Sequence, residues 1–191
     1  MDLKKTCESY QKLEKNTGKN LIVSVNISMY QMKDDIVNNI KSIILDSGIN
    51  PNHLELEITE SHIMSNPEQA ITILLNLKEL GINIAIDDFG TGYSSLSYLT
   101  QLPIDRLKID SSFTKKVPED EQSVKVVQSI ISLAKSLNLK ITAEGVENKK
   151  QFEFLKKLHC EEVQGYLLSH PLSEEELLEF LEANAHGMLI E

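Results

Sequence analysis

Apolar and polar residues alternate with a period of two in Val23-Ser24-Val25-Asn26-Ile27-Ser28 and again in Leu54-Glu55-Leu56-Glu57-Ile58-Thr59. Such alternation marks a strand with one apolar and one polar face. Short apolar runs at Leu21–Ser28, Leu54–Thr59, Ile82–Asp87, Arg106–Asp110, Lys140–Ala143 and Glu162–Leu167 predict six strands. Helical spacing fills the gaps at Asp34–Asp46, Pro67–Leu80, Ser94–Leu99, Gln122–Leu137 and Lys149–Leu158, with two flanking helices near Asp2–Lys15 and Glu174–Ala185. Boundary residues agree. Asn66-Pro67-Glu68-Gln69 places an N-cap, a proline at N1 and a glutamine at N3, and Ser173-Glu174-Glu175-Glu176 reads as a capping box. Gly48 and Gly81 sit where a helix ends in a left-handed residue.

Strands alternating with helices predict βα units and a parallel sheet. Residue parity selects its form. Asp87 shares a face with Ala85, Lys108 lies between Leu107 and Ile109, Glu144 shares a face with Thr142, and Gln164 shares one with Glu162 and Tyr166. Each strand thus offers apolar residues to covering helices and polar residues, late in the strand, to another face. A (β/α) barrel builds its site in this way, at the C-terminal strand ends. An open doubly wound sheet packs both faces under helices and would carry fewer polar residues.

The 191 residues suit one domain, 1–191, with no linker, repeat or low-complexity tract. Twenty-nine acids against 19 bases give a net charge of −10, which argues against a nucleic-acid polymer as partner but not against a small phosphate ligand held through metal. Cys7 and Cys160 form no ligand motif and read as reduced cytoplasmic thiols. No apolar run reaches membrane-span length, and no signal-peptide core follows Met1.

The run Asp87-Asp88-Phe89-Gly90-Thr91-Gly92 stands out. Adjacent carboxylates at the end of a buried strand repel each other unless a cation neutralises them, and oxygen ligands suit Mg²⁺ or Mn²⁺. With Asn26, Glu57, Lys108, Glu144 and Gln164 they make a set that could hold two hard cations and orient water and phosphate, the equipment of metal-assisted phosphodiester hydrolysis. Taken singly, each has a plain alternative. Asn26 could cap a turn, Lys108 could pair with Asp110, and Gln164 could bond backbone; all of them falling late in consecutive strands favours a shared site.

Asn26-Ile27-Ser28, Leu56-Glu57-Ile58-Thr59-Glu60, Asp87 through Leu96, Leu107-Lys108-Ile109-Asp110, Ala143-Glu144-Gly145-Val146-Glu147 and Gln164-Gly165-Tyr166 resemble, in order and spacing, the motifs of EAL-domain cyclic di-GMP phosphodiesterases. The resemblance spans about 21–172. It implies a TIM-like barrel and hydrolysis of the bacterial second messenger cyclic di-GMP to the linear dinucleotide. Asn26, Glu57 and Asp87 would ligate a first Mg²⁺ or Mn²⁺; Asp87 would bridge to a second held by Asp88. Glu144 would be general base or second-metal ligand, Lys108 would contact the hydrolytic water or scissile phosphate, and Gln164 would position either. Thr59 and Glu60 would anchor the loop Phe89–Ser95, whose Phe89, Gly90, Thr91 and Gly92, with Glu147, would serve loop and substrate. The resemblance further implies a cytoplasmic homodimer, fused to or regulated by a sensor domain.

The sequence also departs from the family. No Glu-Ala-Leu occurs, so one metal-ligating glutamate and the nearby substrate-contacting arginine are missing. Ser111 and His170 stand where the family often carries basic residues. The expectation is an incomplete barrel of six parallel strands lacking the family's first two, with open edges at Leu21–Ser28 and Glu162–Leu167, partly covered by Asp2–Lys15. Such a chain would self-associate or be poorly stable, and would hydrolyse slowly or not at all. The alternative to an active hydrolase is a catalytically impaired module that binds metal and cyclic di-GMP.

Overall fold

The computed structural model describes residues 3–28, 35–92 and 96–184. Six strands, β1 (Val23–Asn26), β2 (Leu54–Thr59), β3 (Asn83–Phe89), β4 (Arg106–Ile109), β5 (Lys140–Ala143) and β6 (Glu162–Val163), form one parallel sheet in chain order. The helices are α1 (Leu3–Thr17), α2 (Ile36–Ser47), α3 (Glu60–Ser65), α4 (Pro67–Glu79), α5 (Leu96–Leu99), α6 (Ser111–Thr114), α7 (Glu121–Ser136), α8 (Lys149–Lys157) and α9 (Glu174–Ala183). The architecture is a half-barrel: each strand is followed by helix that returns the chain to the same end of the next strand. Among the described residues, β1 and β6 are the outermost strands of this sheet.

The predicted boundaries hold where capping chemistry sets them. Asn66 accepts from Gln69 N–H, Ser173 and Glu176 form a reciprocal capping box, and Gly48 takes φ of 69° after α2. Leu54, Leu56, Ile58, Ile84, Ile86, Leu107, Ile109 and Ile141 are all buried on the helix side of the sheet. Expected residues Asp2, Asp34, Ser94, Ser95 and Ala185 lie outside the described residues.

Two differences bear on the site. The sixth strand is two residues long, not Glu162–Leu167, because the chain turns at Gly165. There Val146 N–H donates to Gln164 O, and Leu167 N–H donates back to Val146 O, so Gln164 and Tyr166 do not continue a strand face. A Cβ on residue 165 would lie 2.2 Å from Val146 O, which requires glycine at this crossing. Two short helices, α3 and α6, also begin directly at strand ends, where the sequence pattern showed no helix. Each is too short to display a period, and α6 is marked only by Asp110 accepting from Ser112 N–H.

Helix α1 buries Leu3, Cys7, Tyr10 and Leu13. It reaches across to α9 through Ser9 Oγ–Glu174 (2.8 Å) and Lys12–Glu174 (3.3 Å), and just past its end Lys19 Nζ donates to Leu181 O (2.8 Å). The first and last described helices therefore meet, although the first and last strands do not pair.

Candidate active site

The inner face of the sheet carries two polar layers, and β4 supplies the cation of each. Arg106 and Lys108 are two residues apart, so they project to the same side. In the layer nearer the strand N-termini, Arg106 Nε donates to Glu55 Oε2 (2.9 Å), and Nη1 donates to Thr142 Oγ1 (2.7 Å) and to Glu162. Ser24 Oγ completes Glu55 at 3.0 Å. Arg106 can cross β3 to reach β2 because the β3 residue in register with it is Ala85, whose methyl leaves the room.

The second layer lies at the strand C-termini. Lys108 Nζ is 2.7 Å from Glu144 Oε1, 2.8 Å from Glu57 Oε1 and 3.1 Å from Asp87 Oδ1, with only 4% of its side chain exposed. Burial works to lower the Lys108 pKa, but Glu144 and Glu57 outweigh it and hold the ammonium above its ordinary value. Asp110, the alternative partner for Lys108, instead caps α6. Asp87 Oδ1 is buried and accepts no hydrogen bond, since the approach of Lys108 is an ion pair without hydrogen-bond geometry.

Adjacent strand residues point to opposite faces, so Asp87 and Asp88 should not meet at one site. They do, because the β3–β4 register shifts between Ile86 and Phe89 and Asp88 adopts φ of 54°, in the left-handed region. Ligand-capable oxygens of Asp87, Asp88 and Glu144 consequently all lie within 4.8 Å of one another. Burial, then Asp87 and Asp110, raise the Asp88 pKa; burial also raises that of Glu144, against the opposing pull of Lys108. Four carboxylates (Glu57, Asp87, Asp88, Glu144) thus share one ammonium. This excess of largely buried negative charge, in which Asp87 Oδ1 accepts no hydrogen bond, fits a hard divalent cation.

The other expected residues divide. Asn26 ends β1 in register with Glu57 and is exposed. Gln164 is not on a strand; it lines a cavity of about 240 Å³ beside Glu144, together with Ser111, Lys115, Gly145, Glu147, Gly165 and Tyr166. Glu147 pairs there with Lys115 at 2.9 Å. Glu60, buried at the start of α3, accepts from the N–H groups of Gly90 (2.8 Å) and Gly92 (3.4 Å). A Cβ at residue 92 would lie 2.8 Å from Glu60 Oε1. Thr59 Oγ1 is 3.4 Å from Ser61 Oγ, Thr91 Oγ1 donates to Asp88 O, and Phe89 packs in the core beneath the turn. Tyr93, Ser94 and Ser95 lie outside the described residues.

Three residues escaped the sequence reading. Arg106 was legible, since it shares parity with Lys108. Gln151 is buried as N3 of the α8 capping box; its Oε1 accepts from Glu147 and Asn148 N–H and its Nε2 donates to Lys115 O, which ties the cavity wall together. Lys115 follows a helix too short to have been seen.

A family model described as "EAL domain" matches residues 2–171. The chain belongs to the EAL domain family. It is 42% identical over 182 residues to the cyclic di-GMP phosphodiesterase NbdA of Pseudomonas aeruginosa, covering 95% of this chain and 23% of the relative. The chain spans less than a quarter of the length of NbdA and of the bifunctional protein MucR from the same organism. Among solved structures, the EAL domain of Mycobacterium smegmatis DcpA is similar with a TM-score of 0.90 and 35% identity, over 98% of this chain and 83% of that one. BlrP1 of Klebsiella pneumoniae, in a manganese and cyclic di-GMP complex, is similar with a TM-score of 0.80 and 26% identity, over 88% and 43%. Half-barrel architecture and family agree. No helix among the described residues is long and apolar enough to cross a membrane.

Proposed function

We propose that this EAL domain hydrolyses cyclic di-GMP to the linear dinucleotide at a metal-dependent site. The observation that carries the reading is the convergence of Asp87, Asp88 and Glu144 at the strand ends, beside a cavity that Glu144 and Gln164 both line. Asn26, Glu57 and Asp87 would hold one Mg²⁺ or Mn²⁺, and Asp87, Asp88 and Glu144 the other. Bound ions of this kind lower the pKa of water and offset charge on phosphoryl oxygens. The side chains supply the rest. Glu144, where it is not a ligand of the second ion, would act as the base that takes a proton from the attacking water. Lys108 is placed to stabilise negative charge at the scissile phosphate, and Gln164 to orient that phosphate or the water. Glu60, fixing the Gly90–Gly92 turn, would keep Asp87 and Asp88 in place. With cyclic di-GMP as a bacterial second messenger, the reading carries with it a cytoplasmic setting, a dimer and control by a sensor domain.

A second reading is a module that binds metal and cyclic di-GMP with little turnover. Hydrolysis and binding measured side by side separate the two. Under the first reading, Lys108→Ala and Glu144→Ala each lower turnover by about a hundredfold or more, while cyclic di-GMP binding falls less. Near wild-type turnover in both variants would refute the assigned roles.

A further inference from the structure

We propose that Lys108 is the resident counter-cation of this site, and that a divalent ion enters by taking over the carboxylate oxygens that Lys108 holds. The inference rests on the metal-dependent reading above and concerns what the metal must displace. Lys108 Nζ binds Glu57, Asp87 and Glu144 at 2.7–3.1 Å. Asp87 and Glu144 also belong to the triad whose oxygens converge within 4.8 Å. A small divalent ion sits about 2.1 Å from its oxygen ligands. An ion held by Asp87 and Glu144 would lie close to the ammonium that pairs with the same two carboxylates, and in this largely buried setting the like charges repel. That repulsion favours withdrawal of the ammonium.

The two cations of β4 differ in the way this exchange requires. Arg106 spreads a rigid fork over Glu55, Thr142 and Glu162 and has defined partners at both ends. Lys108 is a point charge on a flexible four-carbon stem, able to swing away without breaking a planar array. Its contact with Asp87 is also the longest of the three, 3.1 Å, and lacks hydrogen-bond geometry. In the metal-free protein the lysine keeps three ligand carboxylates gathered and partly neutralised. Metal loading frees its ammonium, which then becomes available to the substrate. The site therefore arms Lys108 only when the ion is present.

The test compares Mn²⁺ binding by titration calorimetry in wild type and Lys108→Met, with no substrate present. Lys108→Met should bind Mn²⁺ at least about tenfold more tightly, because the competing charge is gone, while its metal-free form unfolds at lower denaturant. Should that variant fail to fold, the wild-type protein still decides. Its Lys108 ammonium, buried and triply paired, should give a slowly exchanging ¹⁵N–¹H signal that is lost on saturation with Mg²⁺. Equal or weaker Mn²⁺ affinity in folded Lys108→Met, or a Lys108 signal unchanged by saturating Mg²⁺, overturns the exchange and leaves the hydrolase reading standing. No Mn²⁺ binding by wild type overturns both.

Discussion

At the scale of residues, the site depends on one backbone irregularity. Asp87 and Asp88 serve the same cluster because Asp88 takes a left-handed φ of 54° and the strand register slips beside it. The Asp-Asp pair was conspicuous in the sequence, and so was Lys108 between two apolar residues. What could not be read was the geometry: a slip of register leaves no mark on composition. Nor could the sequence show that Lys108 would be bound by three carboxylates, since that needs β2, β3 and β5 placed around β4. Two outcomes belong here. Mg²⁺ or Mn²⁺ should raise the melting temperature by stabilising the native state, and Asp87→Asn should remove most of that gain; an equal shift in both proteins would count against the metal assignment. Arg106→Met should destabilise by about 3–5 kcal/mol, because Glu55 is left buried and unpaired. Replacing Glu55 by Leu in the same protein should recover part of the loss in a denaturant titration.

At the scale of elements, the long helices and the first five strands were legible because a period of 3.6 or 2 repeats often enough to be seen. β6 was overread, since Glu162–Leu167 alternates well enough but Gly165 turns the chain into Val146. Gly165→Ala should therefore lower stability by roughly 1–3 kcal/mol and disturb the cavity that Gln164 and Glu144 line. Helix α1 carries a separate signature. Tyr10 is buried on it, with its hydroxyl 2.9 Å from Glu14 and 2.6 Å from His53 Nδ1. Burial first, then Glu14, pushes its pKa from 10 to about 12. A raised folded-state pKa gives stability that is complete below the unfolded value and is lost as pH rises through the folded one. Wild type should thus lose stability between about pH 10 and 12 through this group, and Tyr10→Phe should flatten that part of a pH–denaturation series.

At the scale of the whole molecule, ion pairs on the inner face tie the strands of the described parallel sheet together, and α1 meets α9. The six-stranded parallel sheet was legible in the sequence from the alternating strands and their ordered motifs; the α1–α9 contact was not, because it joins Ser9 and Lys12 to Glu174, nearly the whole chain apart. Unpaired parallel edges invite association, so sedimentation of the purified chain should show species larger than the monomer, and a stable monomer would mean that α1 and α9 protect the edges sufficiently. The central claim is chemical. The purified chain is incubated with cyclic di-GMP, with Mn²⁺ or with chelator, and the linear dinucleotide is quantified by chromatography beside Asp87→Asn. The account predicts linear product that requires metal and is lost in Asp87→Asn. Product formed equally in chelator, or equally by Asp87→Asn, would contradict it.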